Sequence, residues 1–214
     1  MLRRAILRLV AGFAALTVFT WLAAALVRAF ERSWITASFD APIVEYVAAH
    51  RLSWLSSLME KFTAAGDDPG LWIAVLVGGA ILAWLTHSWR PLLLLALVMI
   101  GAVSLDHLVK WLVARARPPS MFQLVASTGW SFPSGHATES AAVYFGLAYI
   151  AGNQTRPAIK TVLYAIALVA VCLIGISRVY LGVHWPTDVV CGWALGGAWS
   201  VIVLGASFTI QDSP

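Results

Sequence analysis

Residues 177–188 read Ser-Arg-Val-Tyr-Leu-Gly-Val-His-Trp-Pro-Thr-Asp and set a cation, Arg178, an imidazole, His184, and a carboxylate, Asp188, between two long apolar runs. The flanking runs, about 161–176 and 189–209, contain no Asp, Glu, Lys or Arg. Ionisable residues at such a place mark a functional site by default, because each costs free energy to hold beside hydrocarbon. Asp188 follows His184 by about one helical turn. Its carboxylate can therefore bond one imidazole nitrogen and leave the other free as a nucleophile or base. Arg178 adds a planar fork suited to phosphate oxygens.

Two other polar segments offer matching chemistry. Lys110 and Arg117 stand seven residues apart, two helical turns, a spacing that puts two cations on one wall about 10 Å apart. In Phe132-Pro133-Ser134-Gly135-His136, Ser134 is expected as a helix N-cap after a helix-stopping proline, and Gly135 lets another group approach the backbone closely. His136 then places a proton donor beside the free N–H groups of a helix start. Alone, each segment has an ordinary explanation: snorkelling cations for the first, plain capping for the second. Together they bring Lys110, Arg117, Arg178, His136, His184, Asp188 and a helix N-terminus, which is equipment for binding a tetrahedral oxyanion and transferring it. A metal centre fits less well, because the carboxylates nearest the histidines, Asp188 and Glu139, would compete with those cations. No metal and no cofactor is expected.

Two acids lie just outside these segments. Asp106, one turn before Lys110, is expected to anchor that lysine as an i,i+4 pair. Glu139, one turn after His136, is read as tuning that histidine, shaping a headgroup pocket, or making an ordinary hydrogen bond. His50, His87 and His107 are read as interfacial or structural.

Composition says which elements must position these residues. Of 214 residues, 60% are hydrophobic and only 11% charged, against about 45–50% and 25% in soluble domains. Mean hydropathy is +0.82. These values imply an all-α, polytopic membrane protein with one domain over 1–214. Six transmembrane helices are expected at about 6–30, 71–87, 91–113, 135–152, 158–176 and 186–209. Between the first two, about 40–62, apolar residues recur at helical spacing on a polar background, as in an amphipathic helix lying along the bilayer. The first run is too long for a signal-peptide core and is closed by Arg28, Glu31 and Arg32, so an uncleaved span is expected. Net charge is +4, but the basic residues are scattered and form no long run, which argues for lipid contact and against nucleic acid. Cys172 and Cys191 sit inside apolar runs as small hydrophobes. The many tryptophans suit interface belts, with Trp130 and Trp185 flanking the motifs.

Under this six-span layout the three polar segments reach one membrane face. Orientation follows from basic residues in short flanks. With Lys110, Arg117 and Arg178 set aside as site residues, Arg3, Arg4, Arg8, Arg90, Arg156 and Lys160 outnumber Arg28, Arg32, Arg51, Lys61 and Arg115. Both termini are then cytoplasmic and the site is external.

The motifs carry a resemblance. Lys110-x6-Arg117-Pro118, Pro133-Ser134-Gly135-His136, and Ser177-Arg178-x5-His184-x3-Asp188 are similar, in order and spacing, to the three-part signature of the type 2 phosphatidic acid phosphatase family, and no position departs from it. That superfamily also includes vanadium haloperoxidases and bacterial acid phosphatases. The resemblance implies a metal-independent membrane phosphatase acting through phosphohistidine. His184 would be the nucleophile, Asp188 its orienting partner, and His136 the group that protonates the leaving oxygen and then activates water. Lys110, Arg117, Arg178, Ser134 and Gly135 would hold the phosphoryl oxygens. The expected substrate is a lipid phosphate or diphosphate, with undecaprenyl diphosphate, phosphatidylglycerol phosphate and phosphatidic acid leading. The alternatives are a phosphotransferase passing the group to an acceptor and a non-catalytic lipid-phosphate binding or transport protein. A bacterial cytoplasmic membrane is the expected location.

Overall fold

The computed structural model describes residues 7, 10, 12–14, 17 and 36–208. Among them the regular structure is helical throughout. A π-helical turn, Thr36–Asp40, leads into two short helices, α1 (Ala41–Ala49) and α2 (Ser53–Ala64). Five longer ones follow: α3 (Asp68–Thr86), α4 (Arg90–Val113), α5 (Gly135–Gly152), α6 (Pro157–Tyr180) and α7 (Pro186–Phe208). Proline sits in the first turn of α3, α4, α6 and α7, where its missing N–H leaves no bond unmade.

Four helices, α3, α4, α6 and α7, are long and apolar enough to cross a membrane. At 1.5 Å per residue, their 19 to 24 residues match a hydrocarbon core of about 30 Å. The fifth, α5, has 18 residues and packs against α4, α6 and α7. Its Ala137, Ala141, Ala142 and Val143 are fully buried. Small residues let α7 approach closely: a Cβ on Gly192 would meet Ser134 O at 2.8 Å and Ala137 Cβ at 2.9 Å. This contact joins the helix that carries Asp188 to the one that carries His136. The core around them runs through Val98, Leu105, Val109, Leu195 and Trp199, and a second cluster joins Leu71, Val75, Leu95, Met99 and Val143.

Several expectations are sharpened or corrected. Of the span expected at 6–30, the described positions 7, 10, 12–14 and 17 are helical, and Phe13 packs edge-on against Trp199 at 5.5 Å. The rest of that span, with Arg8 and Arg28, and the flanking Arg3, Arg4, Glu31 and Arg32 lie outside the described residues. The single amphipathic helix expected at 40–62 is instead two, broken at residues 50–52. Arg51 pins the break by donating from Nε to Tyr180 O (2.9 Å) and from Nη2 to Phe122 O (2.7 Å). The helix expected at 158–176 continues to Tyr180, so Arg178 belongs to its last turn. Lys110 and Arg117 do not share a helix: α4 stops at Val113, with Ala114 in a left-handed conformation at φ 53°. The chain turns there, and Arg117 reaches the site from an irregular segment.

Candidate active site

The C-terminal ends of α4 and α6 and the N-terminal ends of α3, α5 and α7 meet at one end of the bundle. His184 stands in the turn between α6 and α7 and is only 2% exposed. Gly182 makes that turn possible with φ +73°, and a side chain on it would strike the carbonyl oxygen of Phe122. The backbone N–H of His184 donates to Arg178 O at 3.3 Å, tying the turn to the end of α6.

The two imidazole nitrogens of His184 have different surroundings. Arg117 Nη1 lies 3.1 Å from Nε2. A guanidinium can only donate, so Nε2 is the acceptor and carries the lone pair. The proton then sits on Nδ1, which faces Asp188 Oδ2 at 3.5 Å. That separation is longer than an ordinary hydrogen bond, and Nδ1 has no bonded partner among the described residues. Burial pulls the imidazole down to about 4. Arg117 and Arg178 push the same way, and Asp188 offsets them only in part. His184 is therefore neutral near pH 7, with its Nε2 lone pair facing the Arg117 guanidinium.

Asp188 is held by more than its histidine. Completely buried, it accepts from Arg115 Nη1 at 2.5 Å, from Trp185 N at 2.9 Å and from Ser131 Oγ. Arg115 in turn donates from Nη2 to Asp40 Oδ2 at 2.6 Å, and Asp40 accepts from Thr187 N at 3.0 Å and Thr187 Oγ1 at 2.7 Å. Burial works against the Arg115 guanidinium, but the Asp188 and Asp40 carboxylates outweigh it and hold its pKa above the ordinary value. Arg117 is held below its ordinary value by burial, against the pull of Asp188 and Asp106.

The remaining predicted residues gather around this centre. Arg117 is fixed by donation to Val183 O (2.8 Å), Thr128 O (3.0 Å) and Gly129 O (3.1 Å). Lys110 bonds both oxygens of Asp106 at 2.5 and 2.6 Å, the i,i+4 pair the spacing predicts, and also Pro133 O at 3.1 Å. Gly135 opens α5 beside that pair. Ser134 occupies the N-cap position, but its hydroxyl makes no capping bond: Oγ is buried without a partner among the described residues. The expected cap is thus corrected to an unused donor. Arg178 is buried too, donating from Nη1 to Thr63 Oγ1 at 2.6 Å while Nε has no partner among the described residues. It faces both His136 and His184. His136 Nε2 lies 2.7 Å from Asp67 Oδ1. Glu139 does not bond His136; it faces Asp106, Asp68 and Lys110.

Sequence reasoning passed over Arg115, Asp40, Ser131, Thr187, Thr63 and Asp67. Arg115 stood in view, two residues before Arg117, but looked like one more topology-setting cation. Asp40 and Arg115 are 75 residues apart, so no local spacing could have paired them. Asp67 had a signal, an acid in the Gly66-Asp67-Asp68-Pro69-Gly70 break beside a helix start.

The chain is similar to known proteins. Residues 91–212 match the family model of the PAP2 superfamily. Phosphatidylglycerophosphatase B of Bacillus subtilis is 36% identical over 162 residues, covering 74% of this chain and 78% of that one. An undecaprenyl-diphosphatase of Sulfolobus acidocaldarius is 28% identical over 165 residues, 74% of this chain and 73% of that one. A crystal structure of a transmembrane PAP2-type phosphatidylglycerolphosphate phosphatase from Bacillus subtilis superposes with a TM-score of 0.82 at 32% identity, covering 92% of this chain and 98% of that one. Apolar helices of spanning length and likeness to a transmembrane enzyme make this an integral membrane protein. By its matched model, its relatives and its fold, the chain belongs to the PAP2 superfamily of phosphatases.

Proposed function

We propose that this protein removes the terminal phosphate from a membrane lipid phosphate or diphosphate through a covalent phosphohistidine. The observation that carries the reading is the setting of His184. Nε2 takes a hydrogen bond from Arg117, Nδ1 backs on to Asp188, and two buried donors nearby, Ser134 Oγ and Arg178 Nε, have no partner among the described residues. Buried donors without partners are costly. A phosphoryl group is the kind of ligand that would satisfy them.

In this reading Nε2 of His184 attacks phosphorus in line with the bond to the lipid oxygen. The N–P bond forms as the P–O bond breaks, and protonated His136 gives its proton to the leaving oxygen. The lipid alcohol departs, or the lipid monophosphate when the substrate is a diphosphate. Neutral His136 then takes a proton from water while the water oxygen bonds to phosphorus. The N–P bond breaks with its electron pair returning to Nε2, and inorganic phosphate leaves with both histidines restored. Lys110, Arg117, Arg178, Ser134 and the Gly135 N–H hold the phosphoryl oxygens as charge shifts.

The same proposal gives the chain one domain and six spans: the four apolar helices, α5, and the N-terminal segment about 6–30. α1 and α2 lie along the membrane surface, a placement supported by the outward Tyr46, Leu52, Trp54 and Leu58. Both termini are cytoplasmic, and the site opens on the external face. Undecaprenyl diphosphate, phosphatidylglycerol phosphate and phosphatidic acid are the leading substrates, the first two in line with the names of the relatives.

The test is phosphate release by the purified protein across a panel of those lipids. We expect His184→Ala to cut turnover by more than about 10³-fold, chelators to leave it unchanged, and vanadate to inhibit competitively. Turnover that survives in His184→Ala, or that disappears in EDTA and returns with a divalent metal, overturns the mechanism.

A further inference from the structure

The break before α3 carries a residue outside the three motifs that touches the proposed proton donor. Asp67 occupies the N-cap position of α3, with extended backbone at φ −73° and ψ 151°. An aspartate there ordinarily accepts from the first free N–H groups of its helix and stabilises the helix start. Asp67 makes no such bond. Its carboxylate turns away and takes up Nε2 of His136 at 2.7 Å, leaving the other ring nitrogen without a hydrogen-bond partner among the described residues.

The turn that carries Asp67 is fastened to the helix that carries His136. Tyr144, two turns further along α5, donates to Ala65 O at 2.8 Å. Gly66 brings the backbone against the ring: a Cβ there would stand 3.3 Å from His136 Cδ2 and 2.5 Å from Ile174 Cγ2. The charged and titratable groups facing His136 are Asp67 from this turn, Arg178 from α6 and His184 from the turn after it. On α4, Asp106 and Lys110 neutralise each other beside Gly135. Asp67 is thus the anion set against Arg178 at the ring.

We infer that Asp67 is a positioning residue for the first step: it fixes the ring of His136 and favours the protonated imidazole that hands its proton to the leaving oxygen. This rests on the phosphohistidine reading above. The leaving oxygen of an alkyl phosphate becomes a strongly basic alkoxide unless it is protonated as the P–O bond breaks. A 4-nitrophenolate leaves without that help. Loss of Asp67 should therefore be felt according to the leaving group, whereas simple loosening of the fold would lower both rates alike.

The experiment measures kcat/KM, which reports steps up to the first irreversible cleavage, for a dialkylglycerol monophosphate and for 4-nitrophenyl phosphate, with full-length protein in detergent micelles. Asp67→Asn is expected to lower the first by about tenfold or more, part of the roughly 10²–10⁴ that a placed general acid contributes. The second should stay within about twofold, which also serves as the folding control. Asp67→Ser, which keeps a capping hydroxyl but no carboxylate, should show the same split. Equal losses on the two substrates would make Asp67 merely structural, no loss on either would make it idle, and a gain on both would make it a plug in the phosphate site. Each of those overturns the inference while leaving His184-dependent turnover intact. Wild-type protein that releases phosphate from neither substrate sinks the parent reading and this one together.

Discussion

His184 meets opposing influences: burial and two guanidinium groups favour its neutral form, and one carboxylate favours its charged form. The first group prevails and takes the imidazole to about 4, below the ordinary value of about 6.5. Because the shift is downward, the nucleophilic neutral form persists as pH falls through 6.5 and is lost only as pH falls through about 4. The acid limb of kcat/KM, corrected for titration of the substrate phosphate, should accordingly bend near pH 4. A corrected bend near 6.5 would mean that the imidazole feels none of this burial, and the assignment of His184 as a pre-formed nucleophile would fail. The spacing of His184 and Asp188 announced the pair, yet the tautomer could not be read from it. Arg117 settles the tautomer by donating to Nε2 across 67 positions of chain, and the proton follows to Nδ1.

At the scale of elements, Arg115 and Arg117 leave the end of α4 two residues apart and face different partners. Arg117 bonds carbonyl oxygens and His184, and no carboxylate among the described residues is bonded to it. Arg115 bridges two fully buried carboxylates, Asp40 and Asp188. Removing one partner from such a bridge leaves uncompensated buried charge, which costs about 3–5 kcal/mol. We therefore expect Arg115→Met to lower thermal stability in detergent sharply and Asp40→Asn to recover part of that loss in the double variant. Arg117→Ala should keep its melting temperature and lose about 10²–10³ in kcat, the scale of one transition-state donor. The reverse pattern would mean that the two arginines have been assigned the wrong way round. The motif spacing singled out Arg117 because phosphate binding needs a cation near Lys110. It was silent on Arg115 because the partner Asp40 arrives from a turn before α1. Helix ends were legible where proline or glycine marks them, as at Pro91 and Pro157. Ala114 gives no such mark: the span expected at 91–113 ends where α4 does, but nothing in the sequence shows that the chain turns there, so the seven-residue spacing of Lys110 and Arg117 is not two turns of one helix.

Across the whole molecule, five helix ends converge on one site, and their dipoles do not all favour an anion. The N-termini of α3, α5 and α7 present positive ends, whereas α4 and α6 present negative C-terminal ends. Those two helices carry their basic residues, Lys110 and Arg178, in the last turn, where the cations offset the unfavourable ends and supply the charge a phosphate needs. The arrangement requires the site to lie at a single end of the bundle, so one labelling experiment fixes its side. The irregular segment after α4 shares that end, and Met121 on it is 81% exposed; Ser88, between α3 and α4, marks the opposite end. In a background with Cys172 and Cys191 replaced by serine, Met121→Cys should react with a membrane-impermeant maleimide added to intact cells. Ser88→Cys should react only after the membrane is opened. The opposite result would turn the molecule over and put phosphate release on the cytoplasmic side, with the chemistry of the pocket unchanged.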